Sequence, residues 1–426
     1  MTVHFVNSGC FKNLVDLERL MSQVRDLGFY VSIGKECITA DIVIINTCGF
    51  ILDSEDASLA MIRYYANKKE NGEIGQLWVM GCLSQKYGNK LCAQEKCIDR
   101  IYGNFDWLNI IRDLGGVPRD TYERLVTTPS HYAFIKIAEG CSRHCSYCIK
   151  PIINGPLKSR PMEDILNECQ KLVSIGVKEF QIIAQNTTDY GVDIYHHKSI
   201  AELIRRISDI SGVEWIRIHY GYPAQFPKDL LTVMRERENV CKYLDMAIQH
   251  CSTKMLKLMN RHITKTELVD LINEIREEVP DIFLRTTLLV GHPGETEEDY
   301  QELCEFVTEH SFERMGVFAY SNQKGSYADR MYEDSIPLKV KQDRALHLMD
   351  IQKSVYRQLN DSQIGNLERI IVDSCDEKYY FCRTQHSTPI ADPIVMVPHT
   401  KKINIGQFYN CRLSKTLDKN MEGEIQ

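Results

Sequence analysis

The sequence predicts an α/β protein in three parts: an N-terminal parallel α/β domain, a partial (β/α)6 barrel and a small C-terminal β-barrel. Strand and helix patterns alternate through roughly the first 360 residues, six such units run in succession in the middle, and residues 362–426 turn to short β-patterned runs. At 426 residues the chain has room for two or three domains. Its 43% hydrophobic and 26% charged residues are globular averages, which excludes wholesale disorder.

Residues 1–115 hold three short apolar runs, Val3–Val6, Ile42–Ile45 and Leu77–Met80. Between them Leu17, Leu20, Met21, Val24 and Leu27 share one helical face, and Ser54–Lys69 continues the helical pattern. Alternation of this kind builds a parallel sheet with helices packed on it. Residues 116–131 read as a polar linker. Residues 132–361 then repeat strand and helix six times, with strands expected at Ala133–Ile137, Glu179–Ile183, Trp215–His219, Tyr243–Ile248, Phe283–Val290 and Arg314–Tyr320. Six units fall short of the eight in a closed barrel, and functional groups belong on loops at the carboxyl ends of the strands. The last block, with β-patterned runs at Leu367–Val372, Tyr379–Arg383, Ile394–Val397 and Gln407–Leu413, fits a small closed or nearly closed β-barrel.

A net charge of −7 argues against sequence-blind gripping of nucleic acid, though not against a local basic patch. No run approaches the ~20 apolar residues of a membrane helix. The N-terminus, MTVHFVNSGC, lacks the basic start of a signal peptide. The chain therefore reads as cytoplasmic, with no membrane partner. Its 16 cysteines are unusual for such a chain and point to metal ligands or reactive groups among them.

The strongest signal is Cys141-Ser-Arg-His-Cys145-Ser-Tyr-Cys148, a CxxxCxxC in the loop after the first barrel strand. Three thiolates this close can wrap one face of a compact metal centre. Structural zinc wants four protein ligands, and only His144 is near enough to supply the fourth. A [4Fe–4S] cube held by three thiolates leaves one iron open for substrate or cofactor. Cys10, Cys48 and Cys82 each follow an apolar run of the first block, so all three emerge at the carboxyl edge of one parallel sheet. That placement could assemble a second three-thiolate centre, or leave three thiols buried at strand ends. Gly9, Gly49 and Gly81 favour the first, since glycine lets backbone approach an inorganic core. The remaining cysteines, at 37, 92, 97, 169, 241, 251, 304, 375, 382 and 411, read as structural or incidental thiols.

CxxxCxxC after the first strand of a six-unit barrel resembles the radical S-adenosylmethionine (SAM) superfamily. Gly9-Cys10 with Lys12, Asn13 and Asp16, NTCGF at 46–50 and MGCLS at 80–84 resemble the N-terminal domain of the methylthiotransferases, whose last domain is a small β-barrel called TRAM. The resemblance implies two [4Fe–4S] clusters, one on Cys141, Cys145 and Cys148 and an auxiliary one on Cys10, Cys48 and Cys82. It also implies two SAM molecules per turnover, one giving a methyl group to sulfur and one cleaved to a radical. Tyr147, Gln185, Arg285, Gly291 and Gly294 are the candidate SAM contacts, each with a plain structural alternative. His219, His250 and His292 read as satisfied strand-end histidines.

Two branches of that family differ in substrate: one modifies an aspartate of a small-subunit ribosomal protein, the other isopentenyl-adenosine in tRNA. Trp215–Ala224, Asp245–His250, Tyr190–Asp193 and Arg285–Glu295 resemble the ribosomal-protein branch. The last block carries eight acidic and eight basic residues, a poor generic RNA clamp. Asn186, Phe11 and Pro156 depart from the ribosomal pattern, and Asn186 matches the tRNA branch. The resemblance implies aspartate methylthiolation on a ribosomal protein, with unidentified electron and sulfur donors; the tRNA enzyme, a non-catalytic iron–sulfur sensor or scaffold, and a zinc-stabilised adaptor are the alternatives.

Overall fold

The structure, a computed structural model, describes residues 1–36, 39–389 and 392–426. Cys37, expected to be an incidental thiol, lies outside the described residues. The N-terminal domain is a five-stranded parallel sheet of β1 (Thr2–Asn7), β2 (Tyr30–Ile33), β3 (Ala40–Thr47), β4 (Ile74–Gly81) and β5 (Arg100–Ile101), in the order β2-β1-β3-β4-β5. Alternate residues face opposite sides. Phe5, Ile44 and Trp78 pack with the helix Phe11–Asp26, while Val43, Ile45 and Val79 pack with the helix Leu52–Glu70. Two strands were not expected from the sequence: β2 is mostly exposed and β5 has only two residues, so neither shows an apolar run. The chain order reverses between β1 and β3, the switch point outside whose carboxyl ends ligands bind in open α/β sheets.

The middle domain is an open six-stranded parallel sheet. Its strands β6 (Tyr132–Lys136), β9 (Glu179–Ile183), β10 (Trp215–Gly221), β11 (Val240–Met246), β12 (Phe283–Val290) and β13 (Arg314–Ala319) correspond to the six expected. The antiparallel pair β7 (Ala138–Glu139) and β8 (Lys158–Ser159) clamps the two ends of the intervening cysteine loop. The outward side chains, such as Ile135, Ile182, Ile218, Leu244 and Leu288, join one large core with the surrounding helices. The other set of strand positions is polar and includes Glu179, Gln181, Arg217, His219, Asp245 and Arg285.

The C-terminal domain is a closed barrel of β14 (Leu367–Cys375), β15 (Tyr379–Thr384), β16 (Val395–Pro398), β17 (Phe408–Leu417) and β18 (Asn420–Ile425). It docks on the amino ends of the middle strands, where Trp215 meets Phe408 edge-on at 4.8 Å and Ile371 packs with Cys241 and Tyr243. Arg383 completes the joint by donating to Glu179 at 2.6 and 2.8 Å and to Asp373 at 2.9 Å. Glu179, Arg217 and Arg383 are fully buried, and Arg217 adds a 3.1 Å bond to the same carboxylate. A buried carboxylate of this kind is tolerable only with its cations in place.

The N-terminal domain leans on β6. Phe11 stacks on Phe134 at 4.1 Å, and Glu18 pairs with Arg124 at 2.6 Å. Residues 116–131 form no helix or strand, yet they are strapped down: Gln23 bonds both the amide and the carbonyl of Arg119, and Glu18 accepts from Thr127 at 2.7 Å. Among the described residues no helix is long and apolar enough to cross a membrane.

Candidate active site: two cysteine triads

The loop of Cys141, Cys145 and Cys148 leaves the carboxyl end of β6 and is pinned from several directions. Gly140 has φ 65°, and a Cβ there would lie 2.0 Å from the Pro156 carbonyl oxygen, so the turn into the loop needs glycine. Cys141 N donates to Gly155 O, Ser146 N to Met259 O, and Ser146 Oγ lies 3.0 Å from His292 Nε2. Arg143 grips Asp189 through two bonds of 2.7 Å, and Asp189 is held in turn by Asn186 Nδ2 at 2.6 Å. Asn186, the departure that matches the tRNA branch, therefore caps its own turn and steadies the acid that anchors the cysteine loop.

Nitrogen donors surround these sulfurs. Arg143 N lies 3.4 Å from Cys141 Sγ, and the buried Arg261 brings Nη1 to 3.4 Å from Cys145 Sγ. Burial pushes the Cys148 thiol up to about 12 and also raises Cys141. Such thiols stay protonated until a metal centre takes the proton's place.

Cys10, Cys48 and Cys82 stand at the carboxyl edge of the first sheet, after β1, β3 and β4, on both sides of the switch point. Asn13 links Cys10 and Cys82. It accepts from Cys10 Sγ at 3.0 Å, its Nδ2 lies 3.7 Å from Cys82 Sγ, and its carbonyl accepts from Asn46 Nδ2. Asn104 Nδ2 gives Cys82 Sγ a second donor at 3.4 Å, and Ser58 Oγ accepts from Cys48 N at 3.0 Å. The glycines here work differently from the sequence expectation. A Cβ on Gly49 would meet the Leu83 backbone at 2.9 Å, and one on Gly81 the Thr47 carbonyl at 2.5 Å, so they let the cysteine-bearing loops approach each other. Burial lifts the Cys82 thiol to about 11. Cys10 moves the other way: burial alone would raise it, but Lys12, the Asn13 amide and Lys150 together bring it below the ordinary range.

The two triads meet at the domain boundary. Cys82 shares a small apolar cluster with Ile149 and Ile153, which follow Cys148, and with Phe50, which follows Cys48. Lys150 lies with Nζ 4.0 Å from the Phe50 ring centroid, and Lys12 with Nζ 4.5 Å from that of Tyr220. His144 is exposed, and among the described residues no three His, Cys, Asp or Glu side chains lie close enough to share a single ion. A cube that spreads three thiolates over three irons asks for wider spacing, and the N–H donors at Cys82, Cys141 and Cys145 suit ligated sulfur. The residues present fit such a centre in both places.

The expected SAM contacts lie as follows in the fold. Tyr147 lies between the ligands with its ring edge-on to His292 and its hydroxyl 3.4 Å from Arg261 Nη1. Gln185 sits just past the end of β9, and its buried Oε1 has no hydrogen-bond partner among the described residues. Arg285 lies early in β12, 4.0 Å from Asp245 and 3.6 Å from Asp392. At Gly291 and Gly294 a Cβ would strike Lys341 at 2.3 Å and Leu258 at 2.9 Å, so protein side chains pack close against both glycines. His219 pairs with Gln181 at 2.6 Å, His250 accepts from two following amides, and His292 holds Ser146 and Pro293 O.

Comparison with known proteins agrees with this architecture. Residues 135–307 match the radical SAM superfamily, residues 2–103 the uncharacterized protein family UPF0004, and residues 364–425 the TRAM domain. A relative from Bacteroides thetaiotaomicron, named ribosomal protein uS12 methylthiotransferase RimO, is 49% identical over 99% of this chain and 98% of its own. Its namesake from Parabacteroides distasonis is 48% identical over 99% of this chain and 98% of its own. The chain belongs to the ribosomal protein uS12 methylthiotransferase family. Among solved structures, the methyltransferase TsrM from Kitasatospora setae, with cobalamin and a [4Fe–4S] cluster bound, superposes with TM-score 0.60 at 15% identity over 77% of each chain. The cobalamin-dependent radical enzyme OxsB gives TM-score 0.54 at 12% identity over 84% of this chain and 57% of its own. These two share the fold.

As a member of the uS12 methylthiotransferase family the chain is an enzyme, a transferase of the radical SAM class. Within this family member, sequence reasoning missed Lys12, Lys150, Asn104 and Arg261 as parts of the site. Lys12 lies inside the first cysteine motif and Lys150 two residues past the CxxxCxxC; Asn104 and Arg261 reach the triads only through the folded structure.

Proposed function

We propose that this chain methylthiolates the β-carbon of an aspartate in ribosomal protein uS12, in the cytoplasm, using two [4Fe–4S] clusters and two SAM molecules per turnover. Cys141, Cys145 and Cys148 would hold the cluster that works on SAM, and Cys10, Cys48 and Cys82 the auxiliary one. When bound, these groups supply deoxyadenosyl radical chemistry at the first triad and the methylthio sulfur at the second. The observation that carries the reading is the junction of the triads through Cys82 and Ile149, which supports one site shared by both.

The chain's own residues set distances and exclude water, the task of a protein around such cofactors. Phe11, Val15, Phe134, Ile183 and Tyr220 form an apolar seal between the N-terminal helix and the barrel. Arg143 and Asp189 fix the cysteine loop, and Arg261 donates toward Cys145 while fastening to the Ala247 carbonyl. Tyr147, Gln185, Arg285, Gly291 and Gly294 are the proposed SAM contacts.

The test is anaerobic incubation of reconstituted enzyme with reductant, SAM and small ribosomal subunits, followed by mass spectrometry of uS12. A methylthio group on one aspartate of uS12 is the expected result. An unmodified uS12 alongside modified tRNA would replace the substrate assignment with the tRNA one.

A further inference from the structure

Two ammonium groups, that of Lys12 buried and that of Lys150 half-buried, stand at the junction of the triads without a carboxylate of their own. Lys12 is 4% exposed, and its Nζ rests 4.5 Å from the Tyr220 ring centroid. Lys150 follows Cys148 by two residues and rests 4.0 Å from the Phe50 ring centroid. Among the described residues neither has an acid within ion-pair distance. The neighbouring acids are already engaged: Asp16 and Glu139 both hold Lys136, and Asp245 faces Arg285 and the Tyr220 amide. Asn13, next to Lys12, brings Nδ2 to 3.7 Å from Cys82 Sγ, and Cys82 packs with Ile149, next to Lys150, so both lysines border one junction. A buried cation without a counter-ion is costly, and Lys12 with Lys150 at the same junction suits an anion.

We propose that Lys12 and Lys150 form an anion subsite between the triads that holds the carboxylate of the side chain being modified. This rests on the reading of the substrate as an aspartate. In aspartate the carboxylate is bonded directly to the β-carbon, so two ammonium groups on its two oxygens fix the reacting carbon one bond away. The aromatic rings of Tyr220 and Phe50 beside the ammonium groups lower the local polarity, which strengthens the contact. Placement beside Cys10 on one side and Cys148 on the other puts that carbon within reach of both triads.

The test is a double-mutant cycle on the reconstituted holoenzyme. Binding is measured for uS12 and for uS12 whose target aspartate is replaced by asparagine, against wild type and the Lys12→Gln/Lys150→Gln double variant. The asparagine change weakens binding to wild type by about tenfold or more, as loss of a charge-assisted contact should, and binding to the double variant by less than about twofold. Iron content and the electron paramagnetic resonance of both centres stay as in wild type, and Lys→Arg variants recover part of the coupling. An equal loss in both proteins would overturn the subsite. Loss of iron or of a cluster signal in the glutamine variants, with no coupling in the arginine variants, would assign the lysines to the clusters instead and also overturn it. Wild type that modifies uS12 yet shows no coupling sinks the subsite alone, whereas wild type that neither binds nor modifies uS12 sinks the substrate assignment and the subsite with it.

Discussion

Cys82 of the N-terminal sheet and Ile149 of the barrel loop lie in one buried apolar cluster, together with Phe50 and Ile153. One contact thus joins the third cysteine of the N-terminal triad to the residue that follows the third cysteine of the barrel triad. Ile149 and Ile153 of the barrel loop thereby help keep Cys82 out of water.

Removing single ligands separates the two triads. Cys145→Ala should abolish formation of deoxyadenosine from SAM, while Cys48→Ala should leave that cleavage intact and stop sulfur transfer. Each variant should reconstitute with about four iron atoms fewer than wild type. Full methylthiolation by either protein would remove that triad from the reaction.

Phe11 is the hinge pin between the domains, stacked on Phe134 at 4.1 Å with 12° between the rings. Phe11→Ala should weaken docking by roughly 1–3 kcal/mol, since the pair and its buried area are both lost. Chemistry needing both triads suffers more than chemistry needing one. The ratio of deoxyadenosine to methylthiolated uS12 should rise, and an unchanged ratio would show that this stack does not set the alignment.

Asn186→Asp places a second carboxylate against Asp189, where the amide now donates at 2.6 Å. The Arg143 anchor should loosen, so SAM cleavage slows while the modified product stays on uS12. Assay of both uS12 and tRNA decides it; a shift of label between the two would make position 186 a determinant of substrate.

Glu179 joins the barrel to the C-terminal domain through Arg383 and Arg217. Burial alone would raise its carboxyl, but Arg383 and then Arg217 outweigh that and hold it below the usual range. A depressed folded value means its stabilisation is present above the ordinary value of 4.5 and fades as pH falls through the folded one. Glu179→Gln should cost about 3–5 kcal/mol near neutral pH, because two buried arginines lose their acid. The variant should also lose less stability than wild type on acidification. Urea unfolding followed through Trp215, which abuts Phe408, reads both effects.

The ligand triads were legible in the sequence because their signals are local. CxxxCxxC sits in one loop, and Cys10, Cys48 and Cys82 each directly follow an apolar run. What the cysteines touch was not legible. Arg261 reaches Cys145 from 116 positions away, and Asn104 reaches Cys82 from 22 away, so only the fold brings them together. The surroundings of Arg285, Gly291 and Gly294 were hidden for the same reason: Asp245, Asp392, Lys341 and Leu258 arrive beside them from elsewhere in the chain. The six barrel strands were visible because one set of alternating positions is continuously apolar. β2 and β5 lacked that stripe and passed as loop.

The central claim is that both triads of one chain serve one site, and mixing two inactive variants tests it most directly. Cys48→Ala and Cys145→Ala proteins, each reconstituted, are combined anaerobically with methyl-labelled SAM, reductant and small ribosomal subunits. Wild type should label uS12 and the mixture should not, because no chain in it carries both triads. Label on uS12 from the mixture would mean that the two triads work as separate sites exchanging a diffusible intermediate, and would contradict the account.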